Sequence, residues 1–253
     1  MKPAIKLQNA KARFAADTPL VLDIDTLTIE VGERVALIGP SGAGKTSLLR
    51  LINGYIELES GTLQILGQLI DAPDQNKARQ RNIRRRVGFI FQDFSLVERA
   101  TVFNNVLWGR LGRLSTWRTM LGSFPEQDKL AAMEAITEVD LYDKANQRVD
   151  TLSGGQQQRV GVARVLAQEA EILLADEPVS NLDPSLAEEI LELLSTVTQG
   201  RGATLVMSLH QPEWAAQFAD RIIGLRHGRI VFDQPAKKFD AAAMAQIYER
   251  EME

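Results

Sequence analysis

Apolar and polar positions alternate in period two along the first 31 residues. The stretch "AIKLQNAKARF" is followed by "LDIDTLTIEVG", with Leu27, Ile29 and Val31 on one face, and the pattern predicts half-buried antiparallel strands. Beyond the Gly32–Glu33 turn the alternation stops. "RVALI" (34–38), "GFIF" (88–91), "EILLA" (171–175) and "TLVMSL" (204–209) are short unbroken apolar runs, as expected of strands covered on both faces in a parallel sheet. Helical stretches separate them: "GKTSLLRLING" closed by Gly54, "QQQRVGVARVLAQ", and "SLAEEILELLSTVTQ" with Leu186, Ile190, Leu193 and Leu194 in one stripe. "RIIGLRHGRIVF" predicts a hairpin turning at His227–Gly228, and 236–253 a short terminal helix. Residues 93–154 hold no clear strand and several arginines. Their helix "PEQDKLAAMEAITEV" is introduced by Ser123-x-x-Glu126, a capping-box spacing. They read as a helical subdomain inserted into an α/β core.

Composition narrows the chemistry. The chain lacks Cys, so disulfides, thiolate metal sites and a Cys nucleophile are excluded, and His210 and His227 alone cannot build a histidine-rich metal centre. A net charge of −4 argues against a non-specific nucleic-acid binder. The N-terminus "MKPAIKLQNAKARF" has no apolar signal core, and no run approaches the roughly 18 residues of a membrane span. The expectation is a chain kept in the cytoplasm, with any membrane role exerted through a partner.

Gly39-Pro40-Ser41-Gly42-Ala43-Gly44-Lys45-Thr46, followed by Ser47, matches G-x-x-x-x-G-K-[ST] between a buried strand and a helix. Glycines let backbone N–H groups converge on phosphate oxygens, Lys45 reaches the β- and γ-phosphates, and the Thr46 hydroxyl ligates Mg²⁺. The strand–loop–helix context sets aside a chance glycine-rich turn. "ILLADEP" (172–178) is a buried strand ending in two acids. Beside a phosphate loop, Asp176 is placed to hold Mg²⁺ and Glu177 to polarise the attacking water. Without that loop the pair would simply open a surface turn. His210 follows "TLVMSL" at its carboxyl end, where ligands gather in parallel sheets. Position alone does not choose between a γ-phosphate contact and an ordinary strand cap. Gln92 follows "GFIF" in the same way, within reach of metal or water.

Together with "LSGGQ" (Leu152, Ser153, Gly154, Gly155, Gln156) and "SNLD" ending at Asp183, these motifs stand in one order over essentially the whole chain. In this the chain resembles the nucleotide-binding subunits of ABC transporters. The resemblance implies an α/β P-loop NTPase (RecA-like) core with an N-terminal antiparallel β subdomain and an inserted helical subdomain. Residues 1–92 and 155–253 would form the core with its antiparallel part, and 93–154 the helical subdomain. It implies ATP and Mg²⁺ as cofactors and catalytic roles for Glu177, His210, Gln92 and Lys45, with Thr46, Gln92 and Asp176 at the metal. It also implies stacking of adenine on Phe14, where the family usually has Tyr, a β-phosphate contact at Ser41, and coupling of two sites through Asp183.

The resemblance further implies a homodimer paired head to tail, in which Leu152–Gln156 acts on the partner copy's ATP. Ser153 and Gln156 have capping-box spacing, so Ser153 should begin a helix with Gly154 and Gly155 in its first turn and Val160, Ala163 and Ala167 further on. Its positive end would face a γ-phosphate already held by Lys45 of the other copy. Gly161 is out of place there, at a cost of about 1 kcal/mol against Ala, and close packing is the expected reason.

"NVLWGRLGRLSTWRTMLGSF" (105–124) is similar to the corresponding segment in ATPases of phosphonate importers, through Arg110, Gly112, Arg113, Ser115, Thr116, Trp117 and Arg118. Trp108 departs from the smaller residue expected. The segment would face two transmembrane permease subunits, with Trp117 as an anchor, or else form a solvated polar face. An extracytoplasmic solute-binding protein would take part indirectly, and the chain would lie at the cytoplasmic face of a bacterial inner membrane, touching it only through the permease. Gln211 after His210 fits the same group. The importer of another solute, a non-transport ATPase acting on nucleic acid, and an ATP-binding regulatory module are the alternatives. The "RNIRRRV" cluster (81–87) is expected to be a solvated face rather than a nucleic-acid patch.

Overall fold

The computed structural model describes residues 3–15, 18–71, 77–93, 95–114 and 122–248. Two sheets organise it. The smaller, four-stranded and antiparallel, runs in the order β2-β1-β4-β5, with β1 Ile5–Ala12, β2 Leu22–Ile29, β4 Leu58–Ile65 and β5 Gln68–Asp71. The period-two alternation at the N-terminus is the imprint of this sheet: Ile5, Leu7, Leu22, Ile24, Leu27 and Ile29 are all buried. Val31 departs from expectation. It lies past the end of β2 and is exposed.

The larger sheet has six strands in the order β10-β9-β3-β8-β7-β6. These are β3 Arg34–Ile38, β6 Val87–Ile90, β7 Ile172–Asp176, β8 Thr204–Ser208, β9 Arg221–Arg226 and β10 Arg229–Pro235. The pairs β3·β8, β3·β9, β6·β7 and β7·β8 are parallel, and β9·β10 is the antiparallel hairpin expected around His227–Gly228. Alternate residues of β3 serve two cores. Val35 and Leu37 pack with Leu48 and Leu49 and with the smaller sheet, whereas Ala36 and Ile38 pack with Val162, Ile190 and Leu194. Apolar cover on both faces is the physical reason the run "RVALI" shows no alternation.

Eight α-helices are described. They are α1 Lys45–Ile52, α2 Lys77–Arg86, α3 Val102–Leu107, α4 Glu126–Glu138, α5 Gly154–Ala167, α6 Pro184–Arg201, α7 Pro212–Phe218 and α8 Ala241–Tyr248. Helix α1 ends at Asn53, and Gly54 follows with φ +72°. On α6 the buried stripe is Ala187, Ile190, Leu191 and Leu194, with Leu186 and Leu193 at its borders. Ser123 does not cap α4. The helix begins after Pro125, whose carbonyl accepts from the amides of Asp128 and Lys129 at 3.1 and 3.3 Å, so the first turn closes on backbone alone. No helix among the described residues is long and apolar enough to cross a membrane.

Candidate nucleotide site

The loop Gly39–Gly44 leaves the carboxyl end of β3 and enters α1. Gly39 has φ +148°, and a Cβ there would lie 2.2 Å from the carbonyl oxygen of Leu225, so no other residue fits. The hairpin also supports the loop from behind, since the Gly228 amide donates to the Ala43 carbonyl at 2.9 Å. Gly44, the residue before α1, has φ +105° and supplies no side-chain cap. The first-turn amides of α1 therefore lack an internal side-chain acceptor, the condition for an anion site.

A cleft of about 430 Å³ opens over this loop. Its lining includes Phe14, Ser41, Gly42, Ala43, Gly44, Lys45, Thr46, Ser47, Glu177 and the turn residues His227 and Gly228. Phe14 is 58% exposed at the rim, which leaves a ring face available for stacking. Lys45 is buried, and its Nζ donates to the carbonyls of Gly39 at 2.7 Å and Pro40 at 3.2 Å. Burial lowers its pKa, opposed by the charges of Glu177 and Asp176. A phosphate would take over the role those carbonyls now play.

The acidic pair sits at the end of β7, beside the loop. Asp176 Oδ1 accepts from Thr46 Oγ1 at 2.8 Å and from Ser208 Oγ at 3.0 Å. Ser208 Oγ in turn accepts from the Glu177 amide at 2.8 Å. Glu177 carries φ +47°, and its Oε1 lies 2.6 Å from His210 Nε2. Thr46, Asp176, Ser208, Glu177 and His210 thus form one connected chain of polar groups. Ser208 and His227 are not among the site residues that the sequence motifs predict. A serine inside an otherwise apolar buried strand was the available signal for the first.

Gln92 stands apart: it is exposed beyond the end of β6, makes no hydrogen bond to another described residue, and does not line the cleft. Leu152, Ser153, Gly154, Gly155 and Gln156 do not line it either. Leu152 is buried in the core, and Ser153 begins α5 with a full capping box, Gln156 N donating to Ser153 Oγ at 3.4 Å and Ser153 N to Gln156 Oε1 at 3.2 Å. Asp183 caps α6, its Oδ1 accepting from Leu186 N at 3.1 Å. Close packing does not explain Gly161, because a Cβ there would meet nothing within 4 Å.

Two corrections concern the arginine-rich segments. Arg110 is not on a partner-facing surface. It is 7% exposed, with Nε donating to Asp128 Oδ1 at 2.7 Å and Nη1 reaching the Ala167 carbonyl at 2.8 Å and Glu169 Oε1 at 2.9 Å. Arg113 shares Glu169, also at 2.9 Å, so these side chains fasten the turn Trp108–Arg113 to the end of α5. Ser115, Thr116, Trp117 and Arg118 lie outside the described residues. Nor is 81–87 merely solvated. Arg84 donates to the Gly54 carbonyl at 2.8 Å and lies 5.7 Å from the Tyr55 ring centroid, while Arg86 pairs with Glu171. Arg81, Arg84 and Arg85 join Arg113, Arg164, Tyr55, Phe91 and Trp108 around a second cleft of about 350 Å³.

Comparison with known proteins accords with this geometry. The family model described as "ABC transporter" matches residues 22–180. The chain is 43% identical over 252 residues to the phosphonates import ATP-binding protein PhnC of Maricaulis maris, covering 99% of this chain and 96% of that one. It is 46% identical over 248 residues to PhnC of Thiobacillus denitrificans, covering 98% and 93%. Among solved structures, the dimeric post-hydrolysis state of the ATP-binding cassette MJ0796 with ADP and phosphate superposes with a TM-score of 0.77 at 32% identity, covering 93% of this chain and all of that one. With a phosphate loop, an acid pair and a signature helix in one P-loop NTPase fold, and near full-length relatives at this identity, the chain belongs to the ABC transporter family.

Proposed function

We propose that the chain is the ATP-hydrolysing subunit of an importer for phosphonate or a related reduced-phosphorus oxyanion. The observation that carries the enzymatic part is the connected set Thr46–Asp176–Ser208–Glu177–His210 at the mouth of the phosphate-loop cleft. The PhnC names of the two relatives, matched over nearly their whole length, support the solute class. ATP is held by the loop amides and Lys45, with adenine on Phe14. Glu177 takes the proton of the attacking water and His210 fixes its carboxylate. The Thr46 hydroxyl and the Asp176 carboxylate are hard oxygen donors 2.8 Å apart, a pair that would hold Mg²⁺. When bound, Mg²⁺ neutralises charge on the phosphates.

The working unit in this reading is a head-to-tail homodimer at the cytoplasmic face of the inner membrane, beneath two permease subunits served by an extracytoplasmic solute-binding protein. The signature helix start does not line its own cleft and in this reading completes a partner's. Residues 93–154 act as the helical subdomain that carries that helix start. The arginine-lined cleft receives a permease segment, for which its charge favours acidic residues. Phe91 lines this cleft and Gln92 follows it directly, which suits Gln92 to report nucleotide state to the permease.

Glu177→Gln should retain ATP binding while turnover falls about 10²–10⁴-fold; near-normal hydrolysis would remove Glu177 from its role. Ser153→Ala in mixed dimers should damage the site whose Lys45 lies on the other copy, and damage to its own site would refute the pairing. The solute class is tested by offering phosphonates, phosphite, hypophosphite and phosphate to the cognate binding protein. Binding of only an amino acid or sugar would overturn it.

A further inference from the structure

Strand β8 lies between β3 and β7, with both faces covered, yet it ends in a fully buried serine. A buried hydroxyl is tolerated when its hydrogen-bonding capacity is used. The Ser208 hydroxyl donates to Asp176 Oδ1 at 3.0 Å and accepts from the Glu177 amide at 2.8 Å. Both bonds go to the acid pair, on consecutive residues of one neighbouring strand end. The register explains how: Ser208 pairs with Asp176 across the β7·β8 ladder and with Leu37, two residues before Gly39, across β3·β8.

The two bonds do different work. With Thr46 Oγ1 on the same oxygen at 2.8 Å, Asp176 Oδ1 is fixed by two donors and the carboxylate cannot rotate freely. Glu177 is held in the left-handed region, which a non-glycine residue keeps only when its surroundings impose it. The Ser208 oxygen is the acceptor that holds its amide there. Two residues on, His210 meets the Glu177 carboxylate at 2.6 Å. The end of β8 therefore grips Glu177 at its amide through Ser208 and at its carboxylate through His210.

We propose that Ser208 is a positioning residue for ATP hydrolysis, whose hydroxyl sets the Asp176 carboxylate and the Glu177 backbone in register with each other. This rests on the roles of Asp176 and Glu177 given above. Ser208 is fully buried and does not line the cleft over the phosphate loop, so its removal should lower kcat and leave nucleotide affinity in place.

The test uses the purified full chain with Ser208→Ala, Ser208→Thr and Ser208→Val beside Glu177→Gln. It measures steady-state hydrolysis, the equilibrium Kd for ATP, the melting temperature and amide exchange at Glu177. Misplacing a catalytic group costs on the order of 10- to 100-fold in rate, and that fall in kcat is expected for Ser208→Ala, with Kd for ATP changed less than about threefold. Thr and Val are matched in size and differ in the hydroxyl. Thr should restore most of kcat and slow exchange at Glu177, whereas Val should behave as Ala does. The proposal is overturned if Val matches Thr in both readouts, if Ser208→Ala keeps wild-type kcat, or if its ATP affinity falls in step with its turnover. Should Ser208→Ala fail to fold, the Thr–Val pair decides. Near-normal turnover in Glu177→Gln would instead overturn the assignment of Glu177 beneath the proposal.

Discussion

The chain carries two glycine-rich helix starts, and they use glycine for different reasons. In Gly39–Gly44 the need is conformational: Gly39, Gly42 and Gly44 all have positive φ, and the helix that follows has no side-chain cap. In Gly154–Gly155 the backbone is already helical and the start is closed by Ser153 and Gln156. There the need is space. A Cβ on Gly155 would lie 2.4 Å from Leu186 Cδ2, at the start of α6 just past the Asp183 cap. One loop is shaped to receive a ligand within its own chain. The other is capped by its own side chains and packed against a second helix start, as the proposed head-to-tail pairing asks of a surface that meets a partner's ligand.

The largest effect that separates the two belongs to Gly39→Ala. Backbone strain and overlap with the Leu225 carbonyl together should cost about 2–6 kcal/mol and abolish ATP binding, measured by melting and nucleotide titration. A tight ATP complex in that variant would break the contrast. Gly155→Ala should cost about 1–3 kcal/mol through overpacking alone. That cost should largely vanish in the background Leu186→Ala, read as a coupling energy in a double-mutant cycle; no coupling would mean that Gly155 serves something other than space. The smallest effect has the opposite sign. Gly161→Ala should stabilise by about 1 kcal/mol, seen as a raised melting temperature, because the site is helical and a Cβ meets nothing.

What could be read from the residues alone follows the same division between local and distant causes. The parallel strands, the phosphate loop and the Ser153 capping box were legible because each is set by contiguous sequence. Strands β4 and β5 were not, since β4 carries a glycine where its partner β1 bulges: a Cβ on Gly61 would lie 2.2 Å from the Asn9 carbonyl oxygen, and the alternation breaks there. Arg110 looked like a surface charge because its partners Asp128, Ala167 and Glu169 come together only in the folded chain. Ser208 looked like a neutral strand residue for the same reason, its two bonds reaching Asp176 and Glu177 across the sheet. Ser123 failed as a cap because the Pro125 carbonyl closes the first turn of α4 in its place.

The wall behind the phosphate loop has a consequence for the order in which the molecule matures. β3 sits between β8 and β9, and the loop leans on Leu225 and Gly228. During synthesis every residue of Gly39–Thr46 emerges long before the strands that give the loop its shape. A nascent chain ending near 220 would carry the whole motif without Leu225 and Gly228 behind it. Nucleotide binding that depends on this shape would then begin only once the β9–β10 hairpin has closed behind the loop.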